Sequence, residues 1–162
     1  MTAAIALGSN LSSRFGDPSD NLREALRRLE TYGRVTAVSS FHVTDPVGYT
    51  HQPRFVNAAA LLDTAHTPLA LLAGLLTIEQ RMGRDRGASV PSKGPRIIDL
   101  DLLLMEDDNH SMVLYNDELK LPHPAMHQRA FVLAPLAEIA PKMQHPVFAQ
   151  SVRQMLAALP TV

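Results

Sequence analysis

Two spacings of apolar residues alternate along the first two thirds of the chain. Short apolar runs closed by turn residues, such as the run before Gly8, predict buried strands. Stretches with apolar residues three and four positions apart, such as Leu22, Ala25, Leu26 and Leu29, predict helices with one apolar face. The pattern predicts a strand over 2–7, a helix from Asp17-Pro18 to about Gly33, strands over 35–43 and 55–62, a helix from Thr67-Pro68 to Gly83, and a strand over 97–105.

The order of these six elements predicts the fold class. Strand, helix, strand, strand, helix, strand is the order of the ferredoxin-like split βαβ fold (βαββαβ), in which two crossovers share one antiparallel sheet. We therefore predict an α+β protein with helices covering one face of the sheet. The remaining predictions are loops over 45–54 and 84–95, a turn over 106–111, a connector with Pro122 and Pro124, and a C-terminal helical extension with helices near 129–139 and 152–159.

Composition narrows the class of protein. A chain of 162 residues with 46% hydrophobic residues is the size of a single globular domain, here predicted over 1–162. The net charge of −1 gives no bulk electrostatic reason to bind nucleic acid or an anionic membrane. With no cysteine there are no disulfides and no thiolate sites, and no apolar run approaches the ~20 residues of a membrane span. The N-terminus lacks the features of a signal peptide. We expect a cytoplasmic protein.

Two aspartates in the last predicted strand are the first candidates for chemistry. Asp99 and Asp101 are separated by one leucine, so alternation along a strand places both carboxylates on one face, roughly 7 Å apart. Paired carboxylates with oxygen-only ligation suit Mg²⁺, which shares its other positions with water and phosphate. The alternative is that both simply face water on an exposed sheet. Apolar residues are predicted to fill the opposite face, namely Ile98, Leu100, Leu102 and Leu104.

Basic residues on both sides of this strand favour a polyphosphate ligand over the solvent-exposed alternative. Arginines suit bidentate contacts with phosphate, although each taken singly is more often a surface charge. The turn Gly8-Ser9-Asn10 follows a strand but lacks the spacing and the lysine of a P-loop, so side chains and metal would have to hold the phosphates. The flanking basic set is Arg84, Arg86, Lys93, Arg96, His123, His127 and Arg129.

Asn57 is the unusual residue of the strand predicted over 55–62. A buried amide needs hydrogen-bond partners, and its donors and acceptor could bind the edge of a flat heterocycle. Phe55 or Phe131 could stack on the face of that ring. The alternatives are a capped or edge-exposed amide and phenylalanines that belong to the core.

Taken together, these motifs resemble those of the 6-hydroxymethyl-7,8-dihydropterin pyrophosphokinase family. The resemblance extends over most of the chain, in the family's order and close to its spacing. Its most specific segments are GPRIIDLDLLL and RAFVLAPLAEIAP, and the others are ALGSNL, VSSFHVTDPVG, QPRFVNAAALLDT, IEQRMGRDR and LPHP.

The resemblance implies transfer of pyrophosphate from ATP to the hydroxymethyl group of the dihydropterin in folate biosynthesis, with release of AMP. It implies two Mg²⁺ ions on Asp99 and Asp101, and it makes these two residues catalytic together with Arg84 and Arg96. The implied ATP-binding residues are Glu79, Arg84, Arg86, Arg96, Leu102, His123 and Arg129. The implied pterin-binding residues are Thr44, Val47, Phe55, Asn57 and Phe131.

Three positions depart from the family pattern. Phe55 stands where other members often have tyrosine, Lys93 where the best-known members have tryptophan, and Pro124 where they have tyrosine. The last two bear on ATP packing and not on the reaction.

Two other functions fit parts of the pattern. A metal-dependent nucleotide-sugar transferase also uses a D-x-D pair, but such enzymes are usually longer. A ferredoxin-like RNA-binding module normally needs exposed aromatics on its central strands, where this chain has Asp99 and Asp101. The expected partners are therefore ATP and the pterin, with no nucleic acid and no membrane, and the expected state is a monomer.

Overall fold

The structure is a computed structural model, which describes residues 1–46, 51–84, 95–108 and 110–160. Ten strands and four helices occur in these ranges. The strands are β1 (Thr2–Ser9), β2 (Arg34–Val38), β3 (His42–Thr44), β4 (Phe55–Asp63), β5 (Asp99–Asp107), β6 (His110–Ser111), β7 (Leu114–Tyr115), β8 (Lys120–Leu121), β9 (Gln144–His145) and β10 (Gln150–Ser151). The helices are α1 (Pro18–Leu29), α2 (Pro68–Arg81), α3 (Ala130–Ile139) and α4 (Val152–Ala157).

The main sheet has the predicted ferredoxin-like order. Its strands lie in the order β2, β4, β1, β5, β6, with β3 also pairing with β4, and every pair is antiparallel. The predicted strand over 35–43 is in fact two, β2 and β3, along the same edge of β4. They are separated near Ser39, whose N–H donates to the Ala59 carbonyl and whose Oγ accepts from the Ala59 N–H. The serine side chain thus takes a ladder position that the backbone of an unbroken strand would occupy.

Both crossover helices begin where the sequence predicts. Asp17 caps α1 through the Asp20 N–H, and Thr67 caps α2 through the Ala70 N–H, each directly before a proline. The helices end at Leu29 and Arg81, a few residues short of the predicted glycines.

The sheet is covered on both faces, but unequally. Ile5 of β1, with Leu22 of α1 and Leu71 of α2, belongs to the larger core on one face. Ala59 of β4 and Leu133 of α3 belong to a second core on the other face, to which α4 also contributes. The prediction of helices on one face therefore holds for α1 and α2 but omits α3 and α4.

An irregularity in β5 corrects one predicted side-chain direction. Ala4 pairs with Leu104 and Ile5 with Leu102, so Leu103 is an extra residue opposite the β1 strand. Ile98, Leu100 and Leu102 lie in the larger core as predicted, whereas Leu104 lies in the second core. The prediction for Leu104 is wrong because the bulge shifts the alternation by one residue.

The second core leaves the other end of that sheet face open. Its sheet residues include Ala4, Ala59, Leu103 and Leu104. Beyond them, toward the last residues of β1, the same face lines a cavity. None of the helices in the described part of the chain combines the length and apolarity that a bilayer crossing requires.

A polar contact fixes α3 against the edge of the sheet. Glu138 accepts hydrogen bonds from the Ser40 backbone N–H at 2.9 Å and from Ser40 Oγ, and it contacts His42 Nε2. These bonds lower the pKa of Glu138, the Ser40 backbone bond contributing most. A carboxyl whose pKa is lowered on folding adds stability above its unfolded pKa and loses that contribution as the pH falls.

We expect Glu138→Gln to lower the melting temperature by a few degrees at pH 7. The difference from the wild type should shrink as the pH falls through the ordinary range of a glutamate pKa. Thermal denaturation from pH 3 to pH 8 measures this, with Glu118→Gln, at an exposed position between β7 and β8, as the control. A difference between Glu138→Gln and wild type that does not depend on pH would contradict an ionic contribution.

Candidate active site

A cavity of about 390 Å³ lies on the open end of the sheet face. This volume suits a small-molecule ligand. Strands β1, β3, β4 and β5, helix α3 and the segments before β5 and α3 all contribute to its walls. The lining residues are Ala6, Leu7, Gly8, Thr44, Asp45, Phe55, Asn57, Arg84, Arg96, Asp99, Asp101, His123, Arg129, Phe131 and Val132.

The register of three neighbouring strands builds the cavity floor. Gly8 of β1 pairs with Asn57 on one side and with Asp99 on the other. Ala6, two residues earlier, pairs in the same way with Ala59 and Asp101. Adjacent strands are about 4.8 Å apart, so the backbones of Asn57 and Asp99 are separated by roughly 10 Å. The floor therefore has an amide at one end and carboxylates at the other, with small residues between them.

Gly8 lies at a close approach at the centre of this floor. A Cβ atom at this position would lie 3.0 Å from Asn57 Oδ1. Because Gly8 has no side chain, the Asn57 amide has room beside it, and no side chain rises from the floor between the two ends of the cavity.

Two arginines bind the first aspartate. Arg84 Nη1 lies 2.8 Å from Asp99 Oδ1, and Arg96 Nη1 lies 2.8 Å from Asp99 Oδ2. Arg84 Nη1 also lies 2.6 Å from Oε2 of Glu79, whose side chain is only 1% exposed. The same Glu79 oxygen accepts a hydrogen bond from the Leu100 N–H at 2.7 Å. Glu79 thus fixes Arg84 and the start of β5 from behind, and it is not among the cavity-lining residues.

Asp101 has a different electrostatic environment. Burial, followed by the nearby charges of Asp99 and Glu79, raises its pKa to about 7, against the opposing effects of Arg129 and Arg84. In the ligand-free protein, the nearby arginines therefore do not fully offset the cost of a negative charge on Asp101. Asp99 and Asp101 point into the same cavity, as alternation predicts, so the alternative of two solvent-exposed aspartates is wrong.

The two aspartates fit a Mg²⁺ site that is completed by its ligand. Within the described ranges, no cluster of three or more acidic, histidine or cysteine side chains could hold a metal alone. Two carboxylates offer the oxygen ligands that Mg²⁺ prefers, and this ion usually takes its other positions from water and substrate phosphates.

The other end of the cavity has the chemistry of a heterocycle site. Asn57 is 8% exposed on the central strand β4, and its Nδ2 donates to Thr44 Oγ1. It is therefore neither an edge amide nor an exposed one. Phe55 and Phe131 both line the cavity, and a guanidinium lies near each ring, that of Arg96 5.9 Å from the first and that of Arg129 5.6 Å from the second.

The remaining residues implied to bind ATP divide into two groups. His123 and Arg129 line the cavity as expected, and burial together with Arg129 lowers the pKa of His123. Leu102 is 3% exposed in the core on the opposite face, so an ATP contact through its side chain is wrong. Its single-residue offset from Asp101 turns it away from the cavity.

Three residues that the sequence analysis named fall outside the part of the chain that the structure describes. Val47, Arg86 and Lys93 lie outside the described residues, as does most of the loop predicted over 84–95. His127, which belongs to the basic set, does not line the cavity; its ring instead packs against His145 and Phe148.

Sequence reasoning missed several lining residues. Ala6 and Gly8 had a signal, because Ala4, Ala6 and Gly8 are small residues at alternate positions of one strand. Asp45 lies in the family segment VSSFHVTDPVG but was given no role; its side chain is 83% exposed and pairs with Arg54 at 3.0 Å.

The fold and the site together define a class of enzyme. Paired carboxylates with arginines at one end and an amide with aromatic rings at the other suit a transferase that brings a phosphorylated compound to a flat heterocycle. The family model of 7,8-dihydro-6-hydroxymethylpterin-pyrophosphokinase (HPPK) matches residues 4–141, and the chain belongs to this family. It acts as the diphosphokinase of the pyrophosphokinase step in folate biosynthesis.

Individual relatives agree with this membership. The chain is 42% identical over 158 residues to the 2-amino-4-hydroxy-6-hydroxymethyldihydropteridine pyrophosphokinase of Pseudomonas aeruginosa, covering 96% of this chain and 90% of the relative. It is also 42% identical over 144 residues to the Bacillus subtilis protein of the same name, covering 88% and 80%.

Solved structures show the same fold. A Plasmodium falciparum HPPK-DHPS crystal structure superposes with a TM-score of 0.69 at 16% identity. The alignment covers 96% of this chain but 44% of that longer one. The family resemblance found in the sequence is confirmed, and it removes the nucleotide-sugar transferase and RNA-binding alternatives.

Proposed function

We propose that this chain transfers the pyrophosphoryl group of ATP to the hydroxymethyl group of 6-hydroxymethyl-7,8-dihydropterin and releases AMP, using Mg²⁺ held by Asp99 and Asp101. One observation carries the proposal. The cross-strand register places the two carboxylates and Asn57 on the floor of a single cavity, about two strand spacings apart. The triphosphate then lies over β5 and the pterin over β4, with the transfer occurring above Gly8.

The acidic end would hold the metal and the phosphates. Two Mg²⁺ ions bound there with ATP would neutralise the triphosphate charge and polarise its phosphoryl oxygens. Asp99 is paired with Arg84 and Arg96 in the protein alone, so ligand binding would redistribute these contacts. A guanidinium has five N–H donors, and Arg84 uses one nitrogen for both carboxylates, which supports phosphate contacts through its other nitrogens.

Three further residues of the nucleotide end, His123, Arg129 and Glu79, are proposed from their positions, and a fourth, Arg86, from the family resemblance. His123 and Arg129 line the cavity on the side of α3, where they would contact the nucleotide. Arg86 is proposed in the same role. Glu79 acts one step removed, because its bond to Arg84 holds that guanidinium toward Asp99.

The amide end would hold the pterin. Thr44 orients the Asn57 amide through the Nδ2 hydrogen bond, so that the rest of the amide would bind the pterin edge. Phe55 and Phe131 would enclose the ring faces, and Val47 is proposed to complete this end.

The reaction then requires positioning more than covalent chemistry from the protein. The pterin hydroxyl oxygen attacks the β-phosphorus and gives its proton to Asp101 or to water, and the bond from the β-phosphorus to the oxygen of AMP breaks on the far side. Alignment of the hydroxyl with that bond and neutralisation of the phosphate charge supply most of the rate enhancement.

The direct test is incubation of the protein with ATP, Mg²⁺ and the hydroxymethyl-dihydropterin. We expect AMP and the pyrophosphorylated pterin in equal amounts, and no product once a chelator removes Mg²⁺. Separation of the nucleotides by ion-exchange chromatography measures both. Formation of ADP in place of AMP would overturn attack at the β-phosphorus, because ADP is the product of attack at the γ-phosphorus.

Asn57→Ala should weaken pterin binding about tenfold to a hundredfold, the effect of losing a buried polar contact, and should leave ATP binding within about threefold of wild type. Isothermal titration with each ligand measures this. Thr44→Val, which removes only the hydroxyl that orients the amide, should show a smaller loss of the same selectivity. Equal losses for both ligands would mean that Asn57 is structural.

We also propose a monomeric, single-domain enzyme in the cytoplasm. Light scattering coupled to size-exclusion chromatography measures the mass in solution.

A further inference from the structure

The turn after β1 contains a buried amide that the proposed reaction does not use. Asn10 is 2% exposed and directly follows Gly8 and Ser9. Its Nδ2 donates to Gln52 Oε1 at 2.9 Å and to the Pro53 carbonyl at 3.0 Å. Its Oδ1 accepts from the Arg96 N–H at 2.8 Å, and its own N–H donates to the Arg96 carbonyl at 3.0 Å. One residue therefore binds two chain segments that are more than forty positions apart.

These two segments lead directly into the two ends of the cavity. Gln52 and Pro53 precede Phe55, the first residue of β4 and part of the proposed pterin wall. Arg96 precedes β5, and its guanidinium holds Asp99. Asn10 thus fixes the backbone that presents the pterin wall against the backbone that presents a phosphate-binding arginine.

A link of this kind matters more for transfer than for the binding of either substrate alone. Each substrate has its own contacts on its own strand, and these survive a small shift between the segments. The reaction, however, needs the pterin hydroxyl in line with the β-phosphorus, and an error of about 1 Å can cost roughly a hundredfold in rate.

We propose that Asn10 is a positioning residue that sets the pterin wall and Arg96 in register, so that the two bound substrates align for transfer. This inference rests on the proposed function of the cavity. Asn10 touches no reacting atom; it acts through Phe55 and Arg96. The Gly8-Ser9-Asn10 turn thereby gains a role in the reaction that its weak resemblance to a phosphate-binding loop did not suggest.

The test compares Asn10→Ala with Asn21→Ala. Asn21 is a buried amide of α1 that bonds to the same turn: its Nδ2 donates to Ser9 Oγ at 3.1 Å and to the Leu11 carbonyl at 2.7 Å. It joins the turn to α1, and neither of these two bonds reaches the Gln52-Pro53 segment or Arg96. Both substitutions remove buried hydrogen bonds, but only the first breaks the link between the two segments.

We expect Asn10→Ala to lower kcat about 30- to 100-fold at saturating substrates. The Kd of the pterin, and that of an ATP analogue with a non-cleavable bond between the α- and β-phosphates, should each change less than about threefold. Asn21→Ala should keep kcat within about threefold of wild type when assayed well below its melting temperature. AMP formation and isothermal titration give these values.

Three results would overturn the inference: equal losses of kcat in the two variants, an unchanged kcat in Asn10→Ala, or a loss confined to Kd. If Asn10→Ala does not fold, Asn10→Asp makes the same test, because it keeps the acceptor for Arg96 and removes both donors to Gln52 and Pro53. An inactive wild type would refute the proposed function itself, which separates the two failures.

Discussion

Asp101→Asn is expected to abolish pyrophosphoryl transfer while making the ligand-free protein more stable at pH 8. Transfer should fall by about a thousandfold or more, since one of the two metal-binding carboxylates is lost. The stability gain follows from the pKa of Asp101, which burial and its acidic neighbours raise from 3.8 to about 7. Ionisation of this group in the folded protein therefore opposes folding at neutral pH.

The sign of the pH dependence follows from the same shift. Below about pH 4 the Asp101 carboxyl is protonated in both the folded and the unfolded chain, so it has no unfavourable effect. Between pH 4 and pH 7 the unfolded chain ionises first, and the wild type loses on the order of 4 kcal/mol of stability. The neutral amide of the variant avoids this loss. Its melting temperature should exceed that of the wild type by several degrees at pH 8 and by little at pH 4.

Asp99→Asn is the matched comparison for this experiment. It changes the same kind of side chain two positions away, but its carboxylate is bound by Arg84 and Arg96. Removing that charge leaves two cations close together, so Asp99→Asn should lower the melting temperature at pH 8 while also abolishing transfer. Thermal denaturation without ligands and AMP formation with Mg²⁺ measure the two properties. Turnover retained by Asp101→Asn, or a melting temperature below that of the wild type at pH 8, would refute this account of the site.

The features of the fold that the sequence could predict are local ones. The caps at Asp17 and Thr67 and the spacing of apolar residues gave both crossover helices and the order of the sheet elements, because each depends on neighbouring residues. Ser39 interrupts the alternation over 35–43 in the sequence, but the division into two strands there and the extra residue Leu103 depend on partner strands. No local pattern encodes that pairing.

The bulge also has a structural consequence that the sequence does not reveal. The carbonyl of Leu103 accepts a hydrogen bond from the His123 N–H at 2.9 Å. The irregular residue of β5 thereby fixes the connector that carries His123 to the cavity. The break in the β1–β5 hydrogen bonding at Leu103 thus helps to place the His123 side chain at the cavity.

In the candidate site too, some features could be predicted from the local sequence and others depend on strand pairing. Alternation alone placed Asp99 and Asp101 on one face, and composition marked Asn57 as unusual in its strand. The position of Asn57 opposite Gly8, and of Gly8 opposite Asp99, follows only from the register of three strands. Family resemblance supplied Glu79 without its contacts, which include Arg84 and the Leu100 N–H, and Glu79 does not line the cavity.

The second large effect is expected at Arg84, whose guanidinium joins buried Glu79 to Asp99. Arg84→Met keeps much of the side-chain volume but leaves these two carboxylates without the cation between them. Breaking a buried ion pair from one side costs about 3–5 kcal/mol, so a large loss of stability is expected. Transfer should also fall at least a hundredfold, because a proposed phosphate contact is lost.

Pairing this substitution with Glu79→Gln separates the two roles of Arg84. The double variant no longer contains the buried glutamate charge, and the amide can still accept the hydrogen bond from the Leu100 N–H. Much of the stability lost in Arg84→Met should therefore return, measured by urea denaturation of the wild type, both single variants and the double variant. Transfer should not return with it, since a neutral side chain at position 84 still cannot hold phosphate. If AMP formation recovers in proportion to stability, Arg84 serves only to neutralise Glu79, and the phosphate contact must be assigned to other arginines of the cavity.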